Sequence, residues 1–222
     1  MGIFDIFKNK ITSQETYTAT SSTSSELGNE VFLDLNKPGV LNLEKKQFLN
    51  LEKANVSLNK LRAAAGWDFM RGNAYDLDLC ALLFDSRQRL AKQVYYGDKT
   101  TNGVSLDGDN LTGQGDGDDE NIYINLSKVG SNVSTIAICV VIYHSEARDQ
   151  YFSGVKNAYV RLIDEDNKKE ICRYSLTNDG SKYTAVHFAD IIRTENGWIF
   201  KAVGNYMNGS ITSISANLFK EN

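Results

Sequence analysis

From residue 75 onward, apolar and polar positions alternate. Tyr75, Leu77, Leu79, Ala81 and Leu83 occupy every second position, and Ile122, Ile124 and Leu126 repeat that period. A period of two sends successive side chains to opposite faces of a strand. Residues 135–143 depart from it, forming a near-continuous apolar, β-branched run. Such a run predicts a central strand buried on both faces. Further strands are predicted at 158–163, 170–176, 185–192 and 198–203, although 185–193 also has some helical propensity. Short helices are predicted over 145–156 and 210–219. Many short strands joined by polar turns, with few helices, predict a mainly β chain folded as an antiparallel β-sandwich.

The first residues follow a different period. Ile3, Phe4, Ile6, Phe7 and Ile11 share one face of a helix, with Asp5, Lys8 and Lys10 opposite. Residues 1–11 are therefore read as a short amphipathic helix. It is either a membrane or partner anchor or a helix that docks on its own domain. It lacks a basic start and a small-residue cleavage site, so no signal peptide is expected. Residue 6 is Ile where a myristoylation motif requires Ser or Thr. Residues 12–25 are mostly Ser and Thr, too polar to offset their ordering entropy, so 12–29 is read as a flexible linker. The folded domain is expected over 30–222. Near its start, Asn42-Leu43-Glu44-Lys45 recurs as Asn50-Leu51-Glu52-Lys53, too few copies for a solenoid.

Composition narrows the function. The chain has 222 residues, is 41% hydrophobic and 10% aromatic, and carries a formal net charge of -4. That supplies a sizeable core and argues against nucleic acid as a partner, which selects a basic surface. No apolar run approaches the roughly 20 residues of a membrane span. Cys80, Cys139 and Cys172 are an odd number at no metal-type spacing, so they read as buried thiols of a reducing compartment. Two histidines, His144 and His187, leave little for a zinc site or a Ser-His-Asp triad.

The chemistry gathers in one stretch. Residues 108–120 hold five carboxylates (Asp109, Asp116, Asp118, Asp119 and Glu120), four glycines and no basic residue, and Asp107 precedes them. Two unit charges roughly 5 Å apart repel by about 3 kcal/mol at an effective dielectric near 20. Crowding several into one loop is costly unless a cation neutralises them. The glycines let the backbone curl so that oxygens converge. Many oxygen donors suit Ca2+, whereas Mg2+ keeps more of its water. An EF-hand is excluded, because Leu111 and Thr112 fall where it needs Asp or Asn and then Gly. A second acidic group precedes the loop. Asp76 and Asp78 share one face of their strand, and Asp68 lies upstream in Gly66-Trp67-Asp68. Strand and loop are expected to pinch a cation between them; a solvated acidic turn is the alternative.

These motifs together resemble the TerD-like proteins, calcium-binding stress proteins of bacterial tellurite-resistance operons. The resemblance rests on Gly66-Trp67-Asp68, Asp76-Leu77-Asp78 and Gly108-Asp109-Asn110-Leu111-Thr112-Gly113 through Gly117-Asp118-Asp119-Glu120. Tyr143-His144, Arg148 and Asn157-Ala158-Tyr159-Val160-Arg161 extend it. It covers about residues 40–219. It implies a β-sandwich with Ca2+ at one acidic end, expected as two ions, and no catalytic activity. The ligand set it implies is Asp68, Asp76, Asp78, Asp109, Asn110, Asp118, Asp119 and Glu120, with a backbone carbonyl at Gly115.

The expected function is thus a non-enzymatic Ca2+-binding module of a stress-response system. It would act as a calcium-ordered scaffold for protein partners or for self-association. The expected location is cytoplasmic, with peripheral contact on the inner face of the membrane through residues 1–11. A divalent-metal-dependent hydrolase using the same carboxylates is the alternative. Walker and Gly-x-Ser-x-Gly motifs are missing, and Arg161 is expected to pair with an acid such as Asp164.

Overall fold

The structure is a computed structural model that describes residues 59–69, 74–115, 117–176 and 182–220 in full, together with the backbone of five short upstream strands. The helix expected at 1–11 lies outside the described residues, as do most of the 12–29 linker and most of the repeated Asn-Leu-Glu-Lys segments. The upstream strands are β1 (Thr16–Tyr17), β2 (Ser22–Ser25), β3 (Gly28–Val31), β4 (Val40–Leu41) and β5 (Gln47–Asn50). There follow β6 (Lys60–Gly66), β7 (Leu77–Phe84), β8 (Leu90–Val94), β9 (Thr100–Thr101), β10 (Val104–Asp107) and β11 (Glu120–Asn125). The chain continues with β12 (Thr135–Ile142), β13 (Tyr159–Asp164), β14 (Lys169–Ser175), β15 (Ala185–Thr194) and β16 (Gly197–Met207).

The strands form two sheets, ordered β1-β4-β14-β13-β6-β11-β10-β9 and β2-β3-β5-β16-β15-β12-β7-β8. Pairing is antiparallel except where short upstream strands join, β1 with β4, β4 with β14 and β3 with β5. This is the predicted antiparallel β-sandwich. Between the sheets, Leu61, Ala63 and Ala65 of β6 and Ile122 and Ile124 of β11 meet Leu79, Ala81, Ile138 and Val140. The second sheet is also covered outside. Cys80, Leu82, Ala137 and Cys139 pack under Ile211 and Ile214 of a C-terminal helix, Ile211–Asn217. Burial on both faces is why residues 135–143 read as an unbroken apolar run. It also buries Cys80 and Cys139, and Cys172 lies in the core between the sheets, so all three cysteines are free and buried, as expected. Among the described residues no helix is long and apolar enough to cross a membrane.

One expected helix is much shorter than its sequence-based expectation, and two other segments follow theirs. The helix expected over 145–156 shrinks to one turn, α1 (Ser145–Arg148), followed by a 3-10 turn at Phe152–Gly154. His144 and Asp149, both at φ 50, bound that turn in the left-handed region, which no helix can continue through. The helix expected over 210–219 is α2 (Ile211–Asn217), which Ser210 caps by accepting from the Ser213 N–H at 3.3 Å. Residues 185–193 are strand: β15 is paired on both sides, with β12 and β16. Sheet pairing there overrides local propensity.

The Ala-rich strand β6 was absent from the predicted strands, yet it sits between β13 and β11. Its end is small for a reason distant in sequence. A Cβ on Gly66 would lie 2.6 Å from both the Gly117 carbonyl oxygen and the Tyr159 ring. The loop before β11 folds across this point, and the Asp119 N–H donates to the Ala65 carbonyl at 2.8 Å.

Phe200 of β16 is fully buried between the sheets, 5.8 Å from the Phe188 ring. Phe200→Ala is predicted to destabilise the sandwich by about 3–5 kcal/mol in urea titrations, the usual cost of removing a core aromatic. A shift well under 1 kcal/mol would place this ring outside the energetic core.

Candidate metal centre

Residues 108–119 join β10 to β11, and the hairpin's last register pair is Asp107 with Asn121. Two polar side chains brace this loop. Asn110 Oδ1 accepts from the N–H of Thr112 at 3.1 Å and of Gly113 at 3.0 Å, tightening the turn. Asn110 Nδ2 donates to Asp119 Oδ1 at 2.6 Å, and Asp119 Oδ2 accepts from the Trp67 N–H at 2.8 Å. Buried Trp67 in turn donates from Nε1 to the Tyr75 carbonyl at 3.0 Å, tying the loop to the lead-in of β7. Gly113, at φ +67, allows the close approach, since a Cβ there would lie 2.4 Å from Trp67 Nε1.

The bracing brings three carboxylates together. One oxygen each from Asp78, Asp109 and Glu120 lies within 4.8 Å of the others. Asp78 and Glu120 are buried and Asp109 faces solvent. Glu120 Oε2 accepts from the Leu79 N–H at 2.6 Å, so a side chain of one sheet contacts the backbone of the other. Its Oε1 and Asp76 Oδ1 are buried without a hydrogen-bond partner.

Electrostatics record the strain. Burial pushes the Asp78 carboxyl up to about 8, helped by the charges of Asp76 and Asp109 and opposed by Arg148. Burial likewise pushes Glu120 up to about 8; the Leu79 N–H opposes the shift, while Asp78 and Asp109 add to it. Asp76 rises to about 6, again chiefly through burial, with Arg148 pulling it back. Buried, mutually repelling carboxylates with unpaired oxygens are a costly arrangement. An all-oxygen donor set of this charge fits a hard divalent cation.

The other residues predicted as ligands lie around this centre. Asp118 faces two guanidiniums. Arg161 bonds it from Nε at 2.8 Å and Nη2 at 2.7 Å, and Arg62 Nη1 reaches it at 2.8 Å. Burial opposes its charge, but the Arg161 bonds outweigh that and hold its carboxyl below the ordinary value. Asp119 and Asn110 are the braces of the loop. Burial raises the Asp119 carboxyl, the Trp67 N–H opposes, and Asp118 and Asp68 add to the rise. Asp68 is exposed and accepts from Asn157 Nδ2 at 2.6 Å. Gly115 lies exposed at φ +147, and Asp116 lies outside the described residues.

One expected pairing is corrected. Arg161 pairs with Asp118 and with Glu170, at 2.5 Å, while Asp164 turns to its own loop and accepts from the Asp166 N–H at 3.1 Å. Three residues apart on a strand, Arg161 and Asp164 begin on opposite faces. Arg62 escaped the sequence reading, and Tyr159 entered it only within the motif 157–161, with no role assigned. Tyr159 donates to the Gly117 carbonyl at 2.8 Å and also contacts Asp118, fastening the loop's second leg. Arg62 and Tyr159 also carry the signal of alternation: they fall on the outward-facing positions of β6 and β13.

Comparison with known proteins reaches the same region. The TerD domain model matches residues 40–218. Tellurium resistance protein TerD of Serratia marcescens is 37% identical over 183 residues, 79% of this chain and 95% of that protein. General stress protein 16U of Bacillus subtilis is 35% identical over 185 residues, 80% of this chain and 96% of that protein. Among solved structures, a Streptomyces coelicolor homologue of the telluride resistance protein superposes with a TM-score of 0.66 at 17% identity. The superposition covers 74% of this chain and 99% of that one. At that identity the likeness supports the fold alone. The sequence matches carry more, because they run through both the sandwich and the braced acidic loop: the chain belongs to the TerD family, whose relatives bear the names of tellurium-resistance and general stress proteins.

Proposed function

We propose that the chain is a non-enzymatic Ca2+-binding module of a stress-response system, ordered by the ion at its acidic end. The observation that carries this is the convergence of Asp78, Asp109 and Glu120, with unpaired buried oxygens on Glu120 and neighbouring Asp76. These four residues would hold the ion. Bound there, it supplies the positive charge that the buried carboxylates lack. Asp68 and Asp119, near enough for one to raise the other, would be donors for a second ion, with Asn110 beside Asp119 and the carbonyl of Gly115 as a further expected donor. Asp118 serves the loop's posture through Arg161 and Arg62. The names of the relatives favour a resistance or stress role. In this reading the ordered end presents a surface to a protein partner or a second copy, and residues 1–11 bring the module to the cytoplasmic face of a membrane. The hydrolase alternative draws no support from His187, whose ring nitrogen is spent on Asp190 at 2.7 Å.

Calcium added to metal-stripped protein is predicted to raise the unfolding midpoint, by about 2.7 kcal/mol at a hundredfold excess over Kd. Mg2+ should do much less. Asp78→Asn combined with Glu120→Gln should abolish the response. A wild-type midpoint indifferent to calcium would overturn the proposal.

The pH dependence of the metal-free chain follows from the raised carboxyls. Asp76 at about 6 and Asp78 and Glu120 at about 8 stand above the unfolded carboxylate value of roughly 4. Between those limits the folded chain binds more protons than the unfolded one, so stability falls as pH rises and is lowest above about 8. In chelator, the midpoint is predicted to drop between about pH 5 and pH 8.5, and calcium is predicted to reverse most of that drop with proton release. A midpoint that climbs with pH in chelator would contradict this.

A further inference from the structure

Arg148 ends α1, the single turn held between left-handed His144 and Asp149. Its guanidinium lies over the Tyr143 ring, 5.4 Å from the centroid, and its Nη1 stands 4.0 Å from Asp76 Oδ2. That is too long for a charge-assisted hydrogen bond. The Asp118–Arg161 contact, at 2.7 Å, shows what a fixed pair in this protein looks like. The other Asp76 oxygen, buried on a residue 5% exposed, has no partner. The Arg148 side chain itself is 40% exposed. Arg148 thus faces the carboxylate centre as a loose counter-charge, and its field reaches both Asp76 and Asp78.

We propose that Arg148 is a tethered cation that competes with the metal ion for the Asp76–Asp78 carboxylates, so that ion binding releases its guanidinium to the surface beside Tyr143 and Tyr96. The inference rests on the calcium reading above. Two cations cannot both serve the same carboxylates without repelling each other. The compact divalent ion gains more from the buried oxygens, whereas the guanidinium has solvent and an aromatic face to retreat to. The Tyr143 ring, over which the guanidinium already lies, meets the half-exposed Tyr96 ring at 5.5 Å, edge to face, so the released charge keeps an aromatic shelf beside it. Arg148 here tunes affinity and does not coordinate the ion.

The test compares wild type with Arg148→Ala and Arg148→Lys. Calcium affinity is read by calorimetry, and metal-free stability by thermal unfolding in chelator. Arg148→Ala is expected to lower the metal-free midpoint yet tighten calcium binding by about tenfold, the order set by removing one nearby screened charge. Arg148→Lys should stay close to wild type in affinity. An Arg148→Ala affinity equal to or weaker than that of a wild type that binds calcium overturns the proposal alone. A wild type that binds no calcium removes the metal reading and this proposal together. A readout independent of variants uses phenylglyoxal on the wild-type chain with peptide mapping. The Arg148 peptide should be modified several-fold faster in calcium than in chelator, and equal or slower modification overturns the release.

Discussion

Repulsion among buried carboxylates is the constraint around which this end of the sandwich is organised. Asp78 reaches the centre from the strand side with Asp76 near it, Glu120 from the start of the facing sheet, and Asp109 from the loop between. None of these groups has a close basic partner among the described residues; Arg148 stands off. Elsewhere the chain pairs its buried charges well. Asp118, Glu170, Arg161 and Arg62 form a tight network on the outer face of the first sheet. The contrast separates two kinds of acid within one loop. One kind is matched by arginine and holds the loop in shape; the other is left wanting a cation.

The braces connect that constraint to the fold. Trp67 follows directly on the central strand β6, and its backbone and indole N–H groups fix Asp119 on one side and the approach to β7 on the other. Gly66 and Gly113 are small because the loop and the indole occupy the space a side chain would need. Small residues, an aromatic and the Asn110 turn therefore set the positions of the acids, which could not hold themselves together.

Much of the architecture was legible because its cause is local. The alternation of β7 and β11 and the continuous run of β12 each follow from which faces are covered, and coverage leaves its mark residue by residue. The Ala-rich β6 was less legible, and the reason its last residue is glycine lies with Gly117 and Tyr159, far along the chain. The acidic loop drew attention as a candidate cation site, but which of its carboxylates converge depends on contacts such as that between Leu79 and Glu120, 41 residues apart. Likewise Asp118 reads as one more acid in a row until Arg161 and Arg62 arrive from other strands.

Glu120 carries a consequence beyond charge. Strand β8 ends at Val94, opposite Ala81, so the N–H of Leu79 falls on a stretch of β7 that β8 no longer covers. A buried backbone donor left without an acceptor is costly. The Glu120 carboxylate takes that donor and sets a buried acid beside it. The side chain that contributes to the candidate cation site thereby also satisfies a backbone donor that no neighbouring strand reaches.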